Sequence, residues 1–445
     1  MACSECRVPQ ELIEAIIRNL EGDQRTLARC ARVSIRFLSV SQKLLYKKIV
    51  LEPPIYRGKS NPRSINHFHG VLASHPLFAD YVEDLTISHK GPLFTWLDAK
   101  ATNWLSNPHD TSLLEAMKQL KNLRKLKVSG VLSMGRTYDS PIDWKNLSDD
   151  MQLAFNHACN EFQHLSVLHL HCITNLDVSL FDISKNLQEL VFDAVTFASW
   201  ELDGDESVWE PLPDRSRLKK LCVHTYGTSS LHFARYLTSY RTGFNLSYLE
   251  SLHYTNDCLQ EHWRLCKMLD ECESSLLEFE FSPSVETYFF DDPDPLTFSR
   301  LANLRLLSLS LWWEIDSVGG QGPLGWLKSR LNELAYFNCL EVLRLRCHFR
   351  WVDGDGSEVD HADALDWEAD IMPWWLWREA DRILSDTDAF SELKRVEICF
   401  IPRDGDTLLP IKEFCDEVRA NAAKLLERKM LYISQGSLRF VECLS

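Results

Sequence analysis

Three short stretches carry residue types that do chemistry. Cys3 and Cys6 stand in C-x-x-C spacing, half of a structural zinc site. Such a site takes four ligands, and no second pair lies nearby, so no metal centre is expected. "DGDGSEVD", residues 353–360, opens like a calcium loop. That loop requires Gly at its sixth position and a bidentate Glu at its twelfth. Here those places hold Glu358 and Ala364, which predicts a solvated acidic loop. In "HLSVLHLHC", residues 164–172, His169 and His171 fall on one side of a strand, with Cys172 adjacent. No third ligand or carboxylate triad partner is legible, and the pair reads as an exposed strand face. No G-x-S-x-G, phosphate loop, dinucleotide fingerprint or H-E-x-x-H occurs. The expectation is a chain that is not an enzyme and uses neither cofactor nor metal.

A fourth stretch, "MPWWLWREADRIL" at 372–384, concentrates tryptophan, with Trp367 just upstream. At helical spacing Trp374, Trp377 and Trp367 share a side, which predicts core. The insertion is also a candidate partner anchor, because aromatics dominate interface hot spots.

The elements that must position these residues follow a repeat. The apolar pattern L-x-x-L-x-L, with substitutions, occurs ten times. It runs from Val82-Leu85-Ile87 through Leu165-Leu168-Leu170, Leu252-Tyr254 and Leu343-Leu345 to Leu393-Val396-Ile398. The last apolar pair of each copy alternates with period 2, as a half-buried strand does. Between copies lie helical patterns at 112–120, 231–240, 262–272 and 324–334. Loops rich in Gly, Pro, Asp and Ser fall at 52–64, 282–295, 316–325 and 351–366. A last helix over 411–430, with acids early and bases late, is expected to cap the array.

Before the repeats, Leu12, Ile13, Ile16, Ile17 and Leu20 recur at helical spacing behind Val8 and Pro9, and predict one broad apolar helix face. Charge is divided along the chain. Residues 1–51 carry +4 and the remainder −20, for a net −16. Arg25, Arg29, Arg32 and Arg36 are spaced to share a helical face, a surface suited to an acidic partner. The overall acidity argues against nucleic-acid binding. No apolar run is long enough to span a membrane, and "MACSECRVPQ" lacks the apolar core of a signal peptide. The expected location is therefore cytoplasmic, nuclear or both. The 14 cysteines, many inside apolar runs such as those of Cys222, Cys339, Cys347 and Cys399, are expected to be mostly free thiols.

Residues 8–51 resemble the F-box. Val8-Pro9 stands where that family has Leu-Pro. Glu11-Leu12, Ile13, Ile16, Ile17 and Leu20 match its first helix, and Gly22-Asp23 with Leu27 the turn into the second. Ala31, Val33, Ser34 and Phe37 stand for its Cys-Val-Cys-x-x-Trp segment, and Leu44, Leu45, Tyr46 and Ile49 close the motif. The wording is most similar to the large fungal F-box families. The downstream pattern resembles leucine-rich repeats, with irregular intervals of 22 to 53 residues and without the Asn or Cys that follows the strand in regular copies. The resemblance implies an α/β fold in which a small all-α F-box, residues 7–51, precedes a linker, 52–66. A degenerate leucine-rich-repeat solenoid with a parallel sheet, flanking helices and a C-terminal cap then fills 67–445.

It further implies a substrate receptor of an SCF-type ubiquitin ligase. Val8, Pro9, Leu12, Ile16, Leu20, Val33 and Phe37 would bind the Skp-type adaptor, which joins the chain to the cullin ligase. The repeat sheet would bind a target protein. In the repeat frame Lys127, His169, His253, Glu280, Arg344 and Glu397 face the open sheet and are the candidate target-binding residues. The alternatives are a scaffold acting outside a ligase through the same contact, and a repeat protein with an enzymatic site built from loops.

Overall fold

The structure, a computed structural model, describes residues 8–53, 55–56, 59–89, 104–106, 111–130, 141–182, 185–198, 215–224, 229–239, 242–256, 262–283, 296–315, 322–335, 338–351, 374–401 and 411–435. The fold is mixed α/β and built on parallel strands. The chain packs as two units, Met1–Asp203 with Pro211–Ser216, and Gly204–Glu210 with Arg217–Ser445.

The first unit opens with three helices, α1 (Gln10–Arg18), α2 (Gln24–Cys30) and α3 (Ile35–Tyr46). Gly22, at φ +99°, makes the turn into α2 in a backbone region that a side chain disfavours. Asp23 then caps α2, accepting from the Thr26 N–H at 2.9 Å. The Thr26 hydroxyl also donates to Asp23 Oδ2 at 2.6 Å, and this bond, with the backbone one, holds the Asp23 carboxyl below the usual range. Ile13, Ile17 and Leu27 form a buried cluster, with Leu20, Phe37, Val40 and Leu44 packed against it.

The chain then enters a parallel sheet. Its strands are β1 (Lys48–Leu51), β2 (Asp84–Ser88), β3 (Lys125–Ser129), β4 (Val167–Leu176) and β5 (Glu189–Phe197), neighbours in chain order. Helices α4 (Ile65–Ser74), α5 (Ser112–Met117) and α6 (Asp149–Glu161) fill the connections. The strand residues Leu85, Ile87, Leu126, Val128, Leu168 and Leu170 are buried, as are Phe68, Leu72, Leu113, Met117 and Phe155 of the helices. This is the strand parity that the ten-copy pattern predicts. Tyr46 stacks on Phe78 at 4.2 Å and ties α3 to the turn before β2.

Two features of this unit are not legible in the pattern. Lys48–Leu51 lies inside the segment that resembles an F-box, yet it is the end strand of the sheet. In β4, Cys172 adopts φ +52°. That left-handed residue resets the alternation, so Ile173 follows Leu170 and Cys172 into the buried set. Its carbonyl then occupies the space beside Gly130, where a Cβ would collide with it.

In the second unit the strands are β6 (Lys220–His224), β7 (Ser251–Asn256), β8 (Glu278–Pro283), β9 (Leu306–Ile315), β10 (Val342–Trp351), β11 (Arg395–Ile401) and β12 (Leu431–Gln435). They too are parallel and adjacent in order. The helices are α7 (Ser229–Leu237), α8 (His262–Cys272), α9 (Gly322–Leu334), α10 (Trp374–Leu384), α11 (Ile411–Asn421) and α12 (Ala423–Glu427). The one long helix expected over 411–430 is thus two, broken at Ala422 with φ −112° and ψ 46°. The chain then adds β12, a strand the pattern does not announce.

Asparagine holds the strand entries in both units. Asn122 donates to the Asp80 carbonyl and Asn303 to the Ser274 carbonyl, each at 2.8 Å, and each stands one residue before the first leucine of its copy. Of the cysteines expected in the core, Cys222 and Cys347 are buried, Cys399 is half-buried and Cys339 is exposed. The described cysteines named here are free thiols.

Candidate functional site

The first surface is on the N-terminal helices. The five apolar residues of the opening stretch do not share one side. Ile13 and Ile17 turn inward, while Leu12 and Ile16 are 55% and 58% exposed on the outer face of α1. Leu20 is half-buried against the inner cluster. Val8 and Pro9 are exposed ahead of the helix. Gln10 donates to the Arg36 carbonyl at 3.2 Å, which brings the start of α1 beside the start of α3. At that junction Val33 and Ile35 are 69% and 82% exposed. Phe37, at the family's Trp position, packs half-buried on the inner cluster.

Ile35 escaped the sequence reading, although its position just after the helix break is the signal that exposes it. The break also undoes the expected arginine face. Arg25 and Arg29 lie on α2, Arg32 in the turn, and Arg36 on α3. Ser34, extended at φ −161°, separates the two helices, so the 4-3-4 spacing does not run along one axis.

The second surface is the strand face opposite the buried leucines. In the first unit Lys127 is half-buried, with Thr86 and His169 as its neighbours in register. His169 is only 4% exposed, and its Nε2 lies 2.9 Å from Glu189 Oε1. His171 stands beside Asp193, Nδ1 to Oδ2 3.3 Å. The exposed pair expected from the sequence is therefore two histidines engaged with carboxylates, one of them buried.

In the second unit the candidate residues join into charge networks. Glu280, 9% exposed, accepts from Arg346 Nη1 at Oε1 and from Nη2 at Oε2, and His253 Nδ1 lies 3.7 Å from the same Oε2. Arg346 does not stand on the neighbouring strand. It reaches from β10 across β9 to β8. Ser308 and Ser310 occupy β9 between them, and at 0% and 3% exposure their small side chains form the floor of the bridge. Arg344 Nε donates to Glu397 Oε2 at 2.6 Å, and Arg395 Nε forms an ion pair with Oε1 at 2.7 Å, so Glu397 is held from two sides. Further along β10, His348 stacks on Trp312 with centroids 4.4 Å apart. Burial, with help from the Arg346 charge, pushes its pKa down to about 4.

Among the described residues no group of three or more His, Cys, Asp or Glu side chains is placed to hold a metal ion. Cys3 and Cys6, the 353–360 loop and Trp367 lie outside the described residues. Trp377 is buried at 2% exposure, while Trp375 is 50% exposed with Lys328 Nζ over its ring at 5.8 Å. Among the described residues no helix is long and apolar enough to cross a membrane.

No family model matches the chain, and no curated protein matches it.

Proposed function

We propose that the chain is a substrate receptor of an SCF-type ubiquitin ligase. Its N-terminal F-box-like helices dock a Skp-type adaptor, and its open strand face binds a target protein. The observation that supports this most directly is the outward apolar set Val8, Leu12, Ile16, Val33 and Ile35. A small helical unit that has already buried Ile13, Ile17 and Leu27 has no folding reason to leave five large apolar side chains in water. Exposed contiguous apolar surface of this kind marks a partner site. The +4 charge of residues 1–51 suits an acidic adaptor.

In this reading the chain performs no bond chemistry. It supplies proximity, which raises the effective concentration of target lysines near the ubiquitin-loaded enzyme. The mixed charge networks of Glu280, Arg346, Arg344 and Glu397 suit a polar protein surface, because each fixed carboxylate or guanidinium holds a defined orientation before the target arrives.

The test is adaptor capture by the full chain. Leu12→Asp with Ile16→Asp places two carboxylates on the outer face, leaves the inner cluster intact, and is expected to abolish capture with the melting temperature unchanged. Capture at the wild-type level by the folded double variant overturns the proposal.

A further inference from the structure

Among the described residues, no strand pairs with the outer side of the end strand β1. On its other side it pairs with β2, with Lys48 opposite Asp84 and Val50 opposite Thr86. The Asp84 N–H donates to the Lys47 carbonyl, so in a parallel ladder Lys47 and Ile49 turn their backbone groups toward β2. Lys48 and Val50 therefore turn theirs away, toward the free edge. Glu52, next in that series, uses its outward N–H on the Arg63 carbonyl at 2.9 Å, which confirms the parity and closes the edge beyond Leu51.

Along this edge runs a cavity of about 400 Å³. All four residues of β1 line it, though successive side chains of a strand point to opposite faces. Such a lining arises when a cavity follows the backbone edge. Leu45, Tyr46, Phe68 and Val71 supply its apolar wall, and Lys48, Arg63 and His67 its polar rim. Lys48 is exposed, and Val50 is 42% exposed. Arg63 of the rim pairs with Glu52, which lies outside the lining, at 2.9 Å, and Glu21 pairs with Lys47, both also outside it, at 2.8 Å. Between Gln24 and Leu51 the sequence has seven Lys or Arg and no acid.

We infer that β1 is a strand-addition site for an extended acidic segment of a partner protein. The outward N–H and C=O groups of Lys48 and Val50 pair with the backbone of the segment. An apolar side chain of the segment enters the cavity, and its carboxylates meet Lys48 on the rim. Main-chain bonds give such a mode its affinity, and the pocket and charge its selectivity. An open strand edge also invites self-association. Lys48 disfavours that outcome, because two copies would bring like charges together. The site is separate from the adaptor face and does not depend on it.

The test uses the full chain and fluorescein-labelled hexapeptides read by anisotropy. One is Glu-Leu-Glu-Val-Glu-Leu, a second has Lys in place of each Glu, and a third is the acidic peptide N-methylated at alternate residues. The acidic peptide is expected to bind, and the other two to bind about tenfold more weakly or worse. Val50→Pro removes one outward donor at an edge position, where proline is tolerated, and is expected to weaken the acidic peptide about tenfold. Lys48→Glu, which leaves the backbone alone, is expected to reverse the preference between acidic and basic peptides. Leu12→Asp with Ile16→Asp is expected to leave peptide binding unchanged, which separates this site from the adaptor reading. Equal binding of acidic and basic peptides overturns the inference. So does undiminished binding by folded Val50→Pro, or a wild-type dimer in sedimentation that Val50→Pro dissolves.

Discussion

Arg346 makes its bridge by passing over two serines, and a charge held in that way is costly to strand. Arg346→Ala leaves Glu280 nine-tenths buried beside Ser308 without its main counter-charge. It is expected to lower unfolding free energy in urea by about 2–3 kcal/mol, and adding Glu280→Gln should restore most of the loss. His348 makes a pH-dependent contribution of known sign. Its folded pKa, about 4, lies below the unfolded value. The unfolded chain therefore binds the extra proton between roughly pH 6.5 and 4, and stability falls as pH drops through that window. The loss attributable to this residue is about 2 kcal/mol by pH 5. His348→Phe, which keeps a ring against Trp312, should flatten the stability–pH curve there. At this scale the sequence shows which residues share the open face, because strand parity is a matter of counting. It does not show that His169 and Glu280 are buried. Burial on that face comes from diagonal and strand-skipping neighbours, which no local pattern records.

Helix α1 has apolar residues on two sides, one buried and one exposed. Ile17 is 1% exposed in the inner cluster, while Leu12 and Ile16 face out. Ile17→Ala is expected to cost about 3 kcal/mol and lower the melting temperature. The outer pair of aspartates should leave melting alone while removing adaptor capture, and circular dichroism beside pull-down separates the two effects. From the sequence, five apolar residues at helical spacing read as one broad face. Two were already enough to fill the core side of so small a unit. The buried pairs of the ten-copy strands were legible because alternation repeats with fixed chemistry. β1 and β12 were not, since the place three residues before the first inward strand position, aliphatic in the ten copies, holds Tyr46 ahead of "KIVL" and Arg428 ahead of "LYISQ". The arginine spacing misled for a related reason: Ser34 ends one helix and begins another, and helical counting fails across the break.

At the scale of the whole chain, the position of β1 changes how the N-terminal helices are to be removed. A deletion ending at residue 51 takes away the end strand and uncovers the edge of β2. A deletion ending at residue 46 spares it. The shorter deletion is expected to keep target binding, lose adaptor capture, and cause the target to accumulate in cells, as quantitative proteomics would read. Arg346 carries a consequence of another kind. Arrays built from strand–helix modules change length over generations by gaining or losing a module through unequal recombination. In this stretch the residues on β8 and β10 are matched across the module between them, which must keep serine at 308 and 310. Deleting β9 with its helix would bring Glu280 and Arg346 onto adjacent strands. Duplicating it would put them three strands apart, beyond reach. A module inserted between Glu280 and Arg346 would therefore break the bridge, whereas an insertion elsewhere in the array leaves it intact.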